Sequence, residues 1–248
     1  MIPSTQRTSK VLSMKVLSRD SLKLGGFAGI TEHRLVTDSR VFGARKKPET
    51  FEGFGNMVYL ADARYNPLGS SGMHPHSEID VISIIIEGRV SHEGSMEHGK
   101  DLIAGDVQVQ RAGGEGFNHN EINPDNKQNR MLQVWALPEQ NGQPADYKAY
   151  TPSKSGVTRI YGGDNNQHTT FNSHTVMEIV HLQASESMQI AQENFTYIIS
   201  GAAVADNLTI GTDAETTSLN EGDLISSQGI LFLAKTDLHM LVVKKLTD

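Results

Sequence analysis

Short apolar runs separated by turn residues recur along the whole chain, and helical periodicity is weak. The 23 glycines and 8 prolines are scattered rather than clustered. Runs rich in β-branched residues between turn signals are typical of an all-β sandwich or barrel. The runs that predict strands are residues 57–60, 81–86, 131–137, 176–182, 195–199, 224–225, 230–233 and 238–243.

The run at residues 81–86 is nearly continuous in apolar character. A strand that alternates would have one polar face, so this run predicts a strand buried on both faces. Glu87 and Gly88 predict a tight turn after it, and a return strand is expected to begin at Arg89.

A polar segment at residues 138–155, rich in Pro, Gly, Asn and Gln, predicts a linker. It divides the chain into an N-terminal domain of residues 1–145 and a C-terminal domain of residues 146–248. Ala-Gly-Asp-Val at 104–107 is echoed by Glu-Gly-Asp-Leu at 221–224. The echo favours two β-barrels of similar build, with Asp106 and Asp223 in turns.

Composition narrows the function classes. The chain has 248 residues, 37% hydrophobic and 21% charged, and a net charge of −7. An acidic chain argues against direct nucleic-acid binding, which needs clustered cations. No apolar run approaches the length of a membrane span. No cysteine and no apolar leader are present, so a cytoplasmic location is expected.

Two pairs of potential metal ligands carry the strongest chemical signal. His74 and His76 form one pair, and His119 and Glu121, starting 43 residues later, form the other. Residues i and i+2 of a strand share a face, so two neighbouring strands could aim all four at one point. Three imidazoles and a carboxylate suit a divalent transition metal. The alternative is that these are polar residues near turns.

The sequence around both pairs resembles the pirin family of cupins. Residues 74–88 are similar to the pirin form of the first cupin motif, and residues 105–121 to the second; Leu-Gln-Val-Trp at 132–135 is also pirin-like. The resemblance implies an all-β bicupin, two barrels of the double-stranded β-helix or jelly-roll type. It implies one mononuclear site, usually iron, with ligands His74, His76, His119 and Glu121, in the N-terminal barrel. The C-terminal barrel is expected to be degenerate.

Some pirin-like proteins cleave the flavonol quercetin with dioxygen, and animal pirin is a transcriptional co-regulator. The resemblance therefore implies a quercetin 2,3-dioxygenase-like enzyme that takes an aromatic or enolic substrate and O2. Fe(II) is the expected metal, with Ni, Cu, Zn or Mn as alternatives. Glu121 is expected to accept the substrate's proton. The rival hypotheses are another cupin reaction, or a non-catalytic regulatory or stress-response protein that acts through a protein partner.

The chain departs from the family pattern in both motifs. Ser-Glu-Ile-Asp at 77–80 replaces the usual Arg-Gly-Phe-Glu, and residues 112–116 lack the usual arginine. Asp80 is expected behind the ligands, accepting an imidazole N–H. The loss of two cations predicts a more acidic pocket rim, which disfavours an anionic substrate.

The remaining residues of interest receive plainer interpretations. Trp135 is expected in the core. His92 and His98 are expected to be exposed, and His33 and His239 to be surface or packing residues. A second metal site is not favoured among three histidines of the C-terminal half, His168, His174 and His181.

Overall fold

The computed structural model describes residues 14–95, 100–208 and 216–247, and nearly all their regular structure is β-strand. The first eleven strands are β1 (Lys15–Ser18), β2 (Gly25–Phe27), β3 (Ile30–Thr37), β4 (Met57–Tyr65), β5 (His74–His76), β6 (Asp80–Glu87), β7 (Arg89–Gly94), β8 (Lys100–Ile103), β9 (Val107–Arg111), β10 (Phe117–Ile122) and β11 (Arg130–Ala136).

The remaining strands are β12 (Asp146–Tyr150), β13 (Gly156–Gly163), β14 (Ser173–Leu182), β15 (Ser187–Ile190), β16 (Asn194–Ser200), β17 (Ala202–Asn207), β18 (Thr216–Asn220), β19 (Asp223–Ser227), β20 (Ile230–Ala234) and β21 (Leu238–Lys245). Helix is limited to α1 (Ser39–Phe42) and two 3-10 turns, Arg19–Ser21 and Gly43–Arg45. Among the described residues, no helix is long and apolar enough to cross a membrane.

Four sheets build two barrels of the same design. In the first, the sheet β12-β9-β6-β11-β4-β3-β2 lies opposite β5-β10-β7-β8. In the second, β1-β19-β16-β21-β14-β13 lies opposite β15-β20-β17-β18. The two orders correspond except that β2 of the first barrel has no counterpart, with β6 matching β16 and β10 matching β20. The prediction of an all-β protein with two similar barrels is confirmed.

The barrels exchange their edge strands. β12 follows the first eleven strands in the chain, yet it pairs with β9 of the first barrel. β1 precedes the first barrel but pairs with β19 of the second. The segment 138–155 is therefore wrongly predicted as a plain linker, because it contains a strand. The division of the chain into two domains after residue 145 stays a prediction.

The echoed Gly-Asp sequences form equivalent turns. Gly105 and Gly222 both have positive φ, 97° and 90°. Each following aspartate caps its turn: Asp106 accepts the Ile103 N–H at 3.1 Å, and Asp223 accepts the Asn220 N–H at 2.8 Å. The turn prediction is confirmed.

The turn after β6 differs from the expected hairpin. Gly88 adopts positive φ, 73°, as a tight turn requires. The chain then crosses to the opposite sheet, where β7 pairs with β8 and β10 rather than returning beside β6. A sequence pattern that marks a turn does not by itself distinguish a hairpin from a crossing between sheets.

The two large sheets pack face to face along an apolar seam. Ile82 and Ile84 of β6 join this core, as do Ile179 of β14 and Leu241 of β21. The intervening residues of β6 face the interior of the first barrel, where Ile85 belongs to a different cluster. β6 is therefore buried on both faces, as its continuous apolar run predicts.

Polar bridges join the barrels at the edges of this seam. Arg130 and Asp62 form a buried ion pair, with Arg130 Nη2 2.6 Å from Asp62 Oδ2. The Tyr197 hydroxyl also donates to Asp62 Oδ2, at 2.7 Å. At another edge the Tyr161 hydroxyl donates to Asp80 Oδ2 at 2.7 Å. The prediction that Asp80 holds an imidazole is therefore wrong. β5 ends at His76 and β6 begins at Asp80, so the two residues do not share a strand face.

The buried Asp80 carboxyl gives the seam a pH dependence. Burial is the main reason that the pKa of Asp80 rises to about 6; the Tyr161 hydrogen bond and nearby Arg111 oppose the rise, and Glu78 adds to it. Because the folded-state pKa lies above the unfolded value, the stability contributed by the protonated form is lost as pH rises through about 6.

Asp80→Asn keeps an oxygen for Tyr161 but cannot ionise. Relative to wild type, we expect its free energy of unfolding to gain about 1–2 kcal/mol between pH 5 and pH 8. Urea denaturation at the two pH values measures this, with the exposed Glu87→Gln as the matched control. An equal difference between Asp80→Asn and wild type at both pH values would contradict the expectation.

Candidate metal centre

The two predicted ligand pairs lie on hydrogen-bonded neighbouring strands. β5 pairs with β10 in antiparallel register, with His119 opposite His74 and Phe117 opposite His76. Pro75 and Asn120 point away from the site because the side chains of a strand alternate. Short β5 thus delivers two imidazoles beside His119 at one end of the first barrel.

The three imidazoles converge through the same ring nitrogen. His119 Nε2 lies 3.2 Å from His76 Nε2 and 3.0 Å from His74 Nε2. The candidate ligand atoms of all three lie within 4.8 Å of one another. Two nitrogens that are each about 2.1 Å from one cation are about 3 Å apart when their bonds meet near a right angle. The donor set therefore fits a small divalent cation.

His76 and His119 are held in the neutral form that binds metal. The pKa of His76 is lowered to about 3, mainly by burial and also by the neighbouring His119 and His74. Burial, followed by His74 and His92, brings the pKa of His119 to about 3 as well. At neutral pH both rings are uncharged, so metal binding need not displace a proton from them.

Hydrogen bonds at the opposite ring nitrogens orient the imidazoles. His74 Nδ1 lies 2.7 Å from the Gly72 carbonyl oxygen, and His119 Nδ1 lies 3.0 Å from Gln110 Oε1. Since these oxygens only accept, both Nδ1 atoms carry the proton and both Nε2 lone pairs face the cluster. Such contacts fix the tautomer of a metal-binding histidine.

Gln110 continues this chain to a second buried histidine. Its Nε2 donates to His92 Nε2 at 2.9 Å, and His92 is fully buried. The prediction that His92 is exposed is wrong. Its neighbours in sequence are polar, but β7 turns this residue into the barrel, opposite Glu121. His98 lies outside the described residues.

Glu121 shares the barrel interior but is not part of the histidine group. Its buried carboxylate accepts Ser83 Oγ at 2.7 Å and Gln108 Nε2 at 2.8 Å on Oε1. The Tyr65 hydroxyl donates to Oε2 at 2.9 Å. These donors satisfy the buried charge and hold the carboxylate beside the histidines. Sequence reasoning missed all three, because no local pattern marks them.

The space in front of the histidines is small and mostly aromatic. Its volume is about 40 Å³, and its walls include Phe27, Tyr59, Tyr65 and Trp135. Trp135 packs on Tyr59 with ring centroids 4.5 Å apart, so it lines the site rather than a sealed core. Further polar lining comes from Glu32, which accepts the Tyr59 hydroxyl at 2.6 Å.

The acidic residues of the altered motifs do not face the histidines. Glu78 Oε1 accepts the Gly142 N–H at 2.9 Å, and Glu115 Oε2 accepts the Ala145 N–H at 3.4 Å. Neither side chain lines the space in front of the cluster. The expected acidic rim is therefore turned towards the segment 142–145, and it does not bias the site against anions.

The other histidines of the described residues form no second group of three potential ligands. His174 pairs with Glu139, and His181 stacks on His239 with centroids 4.0 Å apart. His33 Nδ1 lies 3.1 Å from the Leu22 carbonyl oxygen.

The second barrel has an apolar interior at the corresponding place. β15 and β20 match β5 and β10 in the sheet order, and they pair through Met188 with Phe232 and Ile190 with Ile230. Ile190, Ile230 and Phe232 belong to the buried core of that barrel, and Met188 packs against it. These side chains carry no nitrogen or oxygen atom that could bind a metal, and they fill the space that polar side chains occupy in the first barrel.

Two double-sheet barrels of matching order give the protein the fold of a bicupin, and among the described residues one barrel holds a convergent histidine cluster. The pirin family model matches residues 36–136, the segment that holds this cluster. Quercetin 2,3-dioxygenase of Escherichia coli K12 is 32% identical over 93 residues, which are 37% of this chain and 40% of that protein. The match thus covers well under half of the relative's length.

Solved structures extend the likeness to the whole fold. The Escherichia coli protein YhhW superposes with a TM-score of 0.78 over 95% of this chain and 99% of its own, at 18% identity. A nickel(II) complex of the same bacterial pirin gives a TM-score of 0.77 over 93% and 98%. At this identity the superposition shows the fold alone. Over residues 36–136 the chain thus resembles pirin in sequence, and over nearly its whole length it shares the fold of the bacterial pirin.

Removal of the Gln110 contact tests whether it positions His119. Gln110→Met keeps the side-chain volume but leaves His119 Nδ1 without its acceptor. Loss of such an orienting partner lowers metal affinity by about 10- to 100-fold. Competition between the protein and a chelator for Ni²⁺ measures the change. Gln133→Met is the matched control, because Gln133 lines the same space without contacting a histidine. Equal affinities for the two variants would exclude the positioning role.

Proposed function

We propose that this protein is a metal-dependent dioxygenase of the quercetin 2,3-dioxygenase type, acting on an aromatic or enolic substrate with O2. The observation that carries the proposal is the convergence of three imidazoles at a space walled by aromatic side chains. The likeness to quercetin 2,3-dioxygenase over the segment that holds these residues supports it.

His74, His76 and His119 would hold the metal, with Glu121 as the fourth ligand. Fe(II) is the first choice, and Ni, Cu, Zn or Mn would also suit nitrogen and oxygen donors. The bound ion would supply Lewis-acid and redox chemistry to substrate and dioxygen. Three neutral rings and one carboxylate would leave a divalent site with a net charge of about +1, which favours a deprotonated, chelating oxygen substrate.

Glu121 is the proposed proton acceptor as well as a ligand. Its Oε1 accepts two hydrogen bonds, whereas Oε2 accepts one, from Tyr65. A carboxylate oxygen has about two lone pairs, so Oε2 keeps one for a metal or a substrate hydroxyl proton. Tyr65 would then stabilise whichever charge state Oε2 adopts. The donors on Oε1 fix the carboxylate, which reduces the reorganisation needed during proton transfer.

Aromatic walls would orient the substrate by stacking. Trp135 and Tyr59 pack on each other, and Phe27, which is 48% exposed, also lines the pocket. A volume of about 40 Å³ is too small for a flavonol, since ligand pockets usually span about 300–1,000 Å³. Phe27 lies on β2, a short exposed edge strand with two glycines, and it is the wall residue that we propose moves.

Oxygen uptake by anaerobically Fe(II)-loaded protein tests the enzyme hypothesis. With quercetin as substrate, wild type should consume O2, and His119→Ala should lose the activity together with bound iron. His168→Ala is the control, because His168 is exposed and lies outside the cluster. No uptake by iron-loaded wild type would count against this reaction and would favour the regulatory hypothesis. A cytoplasmic location stays a prediction.

Phe27→Ala tests the proposed opening of the pocket. We expect a severalfold lower KM for quercetin with little change in kcat, because the side chain blocks entry without touching the reacting atoms. Steady-state oxygen uptake over a range of quercetin concentrations separates the two constants. Leu24→Ala, another exposed residue near β2, is the control. A higher KM would show that Phe27 binds the substrate and does not exclude it.

A further inference from the structure

A second cleft lies between the two barrels, on the other side of β6 from the histidine cluster. Its volume is about 410 Å³. The first barrel contributes Ile84, Ile86 and Val107, and the second contributes Ile179 with the stacked pair His181 and His239. No residue that lines the space at the histidine cluster also lines this cleft. The two sites are therefore physically separate.

The walls of the cleft favour an apolar body. Isoleucine and valine side chains line it, although Ile84, Val107 and Ile179 are almost fully buried. Ile86 and Pro152, which lies in the segment between β12 and β13, are half-buried and offer apolar surface to a ligand. The imidazole pair adds a flat surface, because its rings lie nearly parallel, 18° apart. A cavity of about 410 Å³ falls within the range of small-molecule sites, which are mostly apolar with few polar groups.

Charge in this cleft has one sign. Lys154 is the only charged residue among those that line it, and no carboxylate faces it there. Within the described part of the chain, the Lys154 ammonium has no recorded hydrogen bond or ion pair, and the side chain is exposed. An ammonium without a partner at the edge of an apolar space is complementary to a single negative charge at the end of an apolar molecule.

The imidazole pair leaves one further polar atom without a partner. His239 Nε2 is buried and makes no hydrogen bond among the described residues. Burial lowers the pKa of His239 to about 3, and His181 and Arg130 act in the same direction, so the ring is neutral. A neutral stack does not compete with Lys154 for an anion, and it presents a surface suited to hydrocarbon or aromatic groups.

We propose that this cleft between the barrels binds a small apolar monocarboxylate, with its body against Ile86, Pro152 and the His181–His239 stack and its carboxylate at Lys154. The site is independent of the metal centre. A ligand there touches both barrels and the segment that connects them, so it stabilises their packing by the free energy of binding.

Calorimetric titration of the full-length protein with octanoate tests the site, with octylamine as the probe of opposite charge. We expect octanoate to bind and octylamine to bind at least tenfold more weakly. Lys154→Ala should weaken octanoate binding about three- to fivefold, the effect of one partly exposed ion pair. Lys235→Ala, an exposed lysine outside the cleft, should leave it unchanged.

A second variant tests the place of binding. Ala104 is exposed and lines the cleft, so Ala104→Trp should fill it without disturbing the core and reduce octanoate affinity more than tenfold. Ala184→Trp, at another exposed alanine, should have no effect. His119→Ala should bind octanoate as wild type does, since the metal centre is not involved.

The proposal would be overturned by the absence of octanoate binding at millimolar concentration, by equal binding of octylamine, or by unchanged affinity in Lys154→Ala or in Ala104→Trp. Loss of binding in His119→Ala would instead place the carboxylate at the metal centre. That last result would leave the proposed dioxygenase function intact while rejecting this site, so the two hypotheses fail separately.

Discussion

The apolar seam between the two large sheets is the interaction on which the other features depend. One face of β6, which includes Ile82 and Ile84, is buried there against the second barrel. Each such side chain contributes about 1.5–3 kcal/mol when it leaves water. The seam therefore stabilises the large sheet of the first barrel from outside, and the opposite face of that sheet is free to carry polar residues.

Those polar residues make the first barrel interior different from the second. Ser83, Gln108 and Gln110 are fully buried there, and each has a hydrogen-bond partner. A buried polar group without a partner costs free energy, so the network must be nearly complete to be tolerated. The second barrel buries fewer such groups, Asn194 and Thr196 among them, and apolar side chains occupy the place of the histidines. One sheet order thus supports a polar interior in one half and a more apolar one in the other.

The sequence predicts the frame and the three histidines because both depend on local patterns. The apolar run of β6, the Gly-Asp turns and the i, i+2 spacing of His74 and His76 are visible in short windows. Asp80 and His92 were assigned wrongly for the same reason, since their environments come from distant strands. Asp80 meets Tyr161, 81 residues away, and His92 meets Gln110 across the barrel.

The exchange of strands between the barrels also cannot be predicted from local sequence. β1 and β12 look like ordinary strands in sequence, and nothing near them shows which barrel each one joins. Glu121 illustrates the same limit within the site. Its place in the motif is readable, but the donors that hold it come from β4, β6 and β9. Pairing between distant strands determines both the strand exchange and the surroundings of Glu121. One sequence read by itself contains little information about such pairing.

The strand exchange makes the two barrels mutually dependent in a way that two linked domains are not. A chain cut between Ala136 and Asp146 would take β12 away from β9 and leave β1 attached to the wrong half for β19. Each fragment would then expose an unpaired sheet edge together with a free strand that fits its counterpart. Two such fragments are complementary, and two intact chains could satisfy the same pairings by trading halves. The fold therefore contains the elements of a swapped dimer within a single polypeptide.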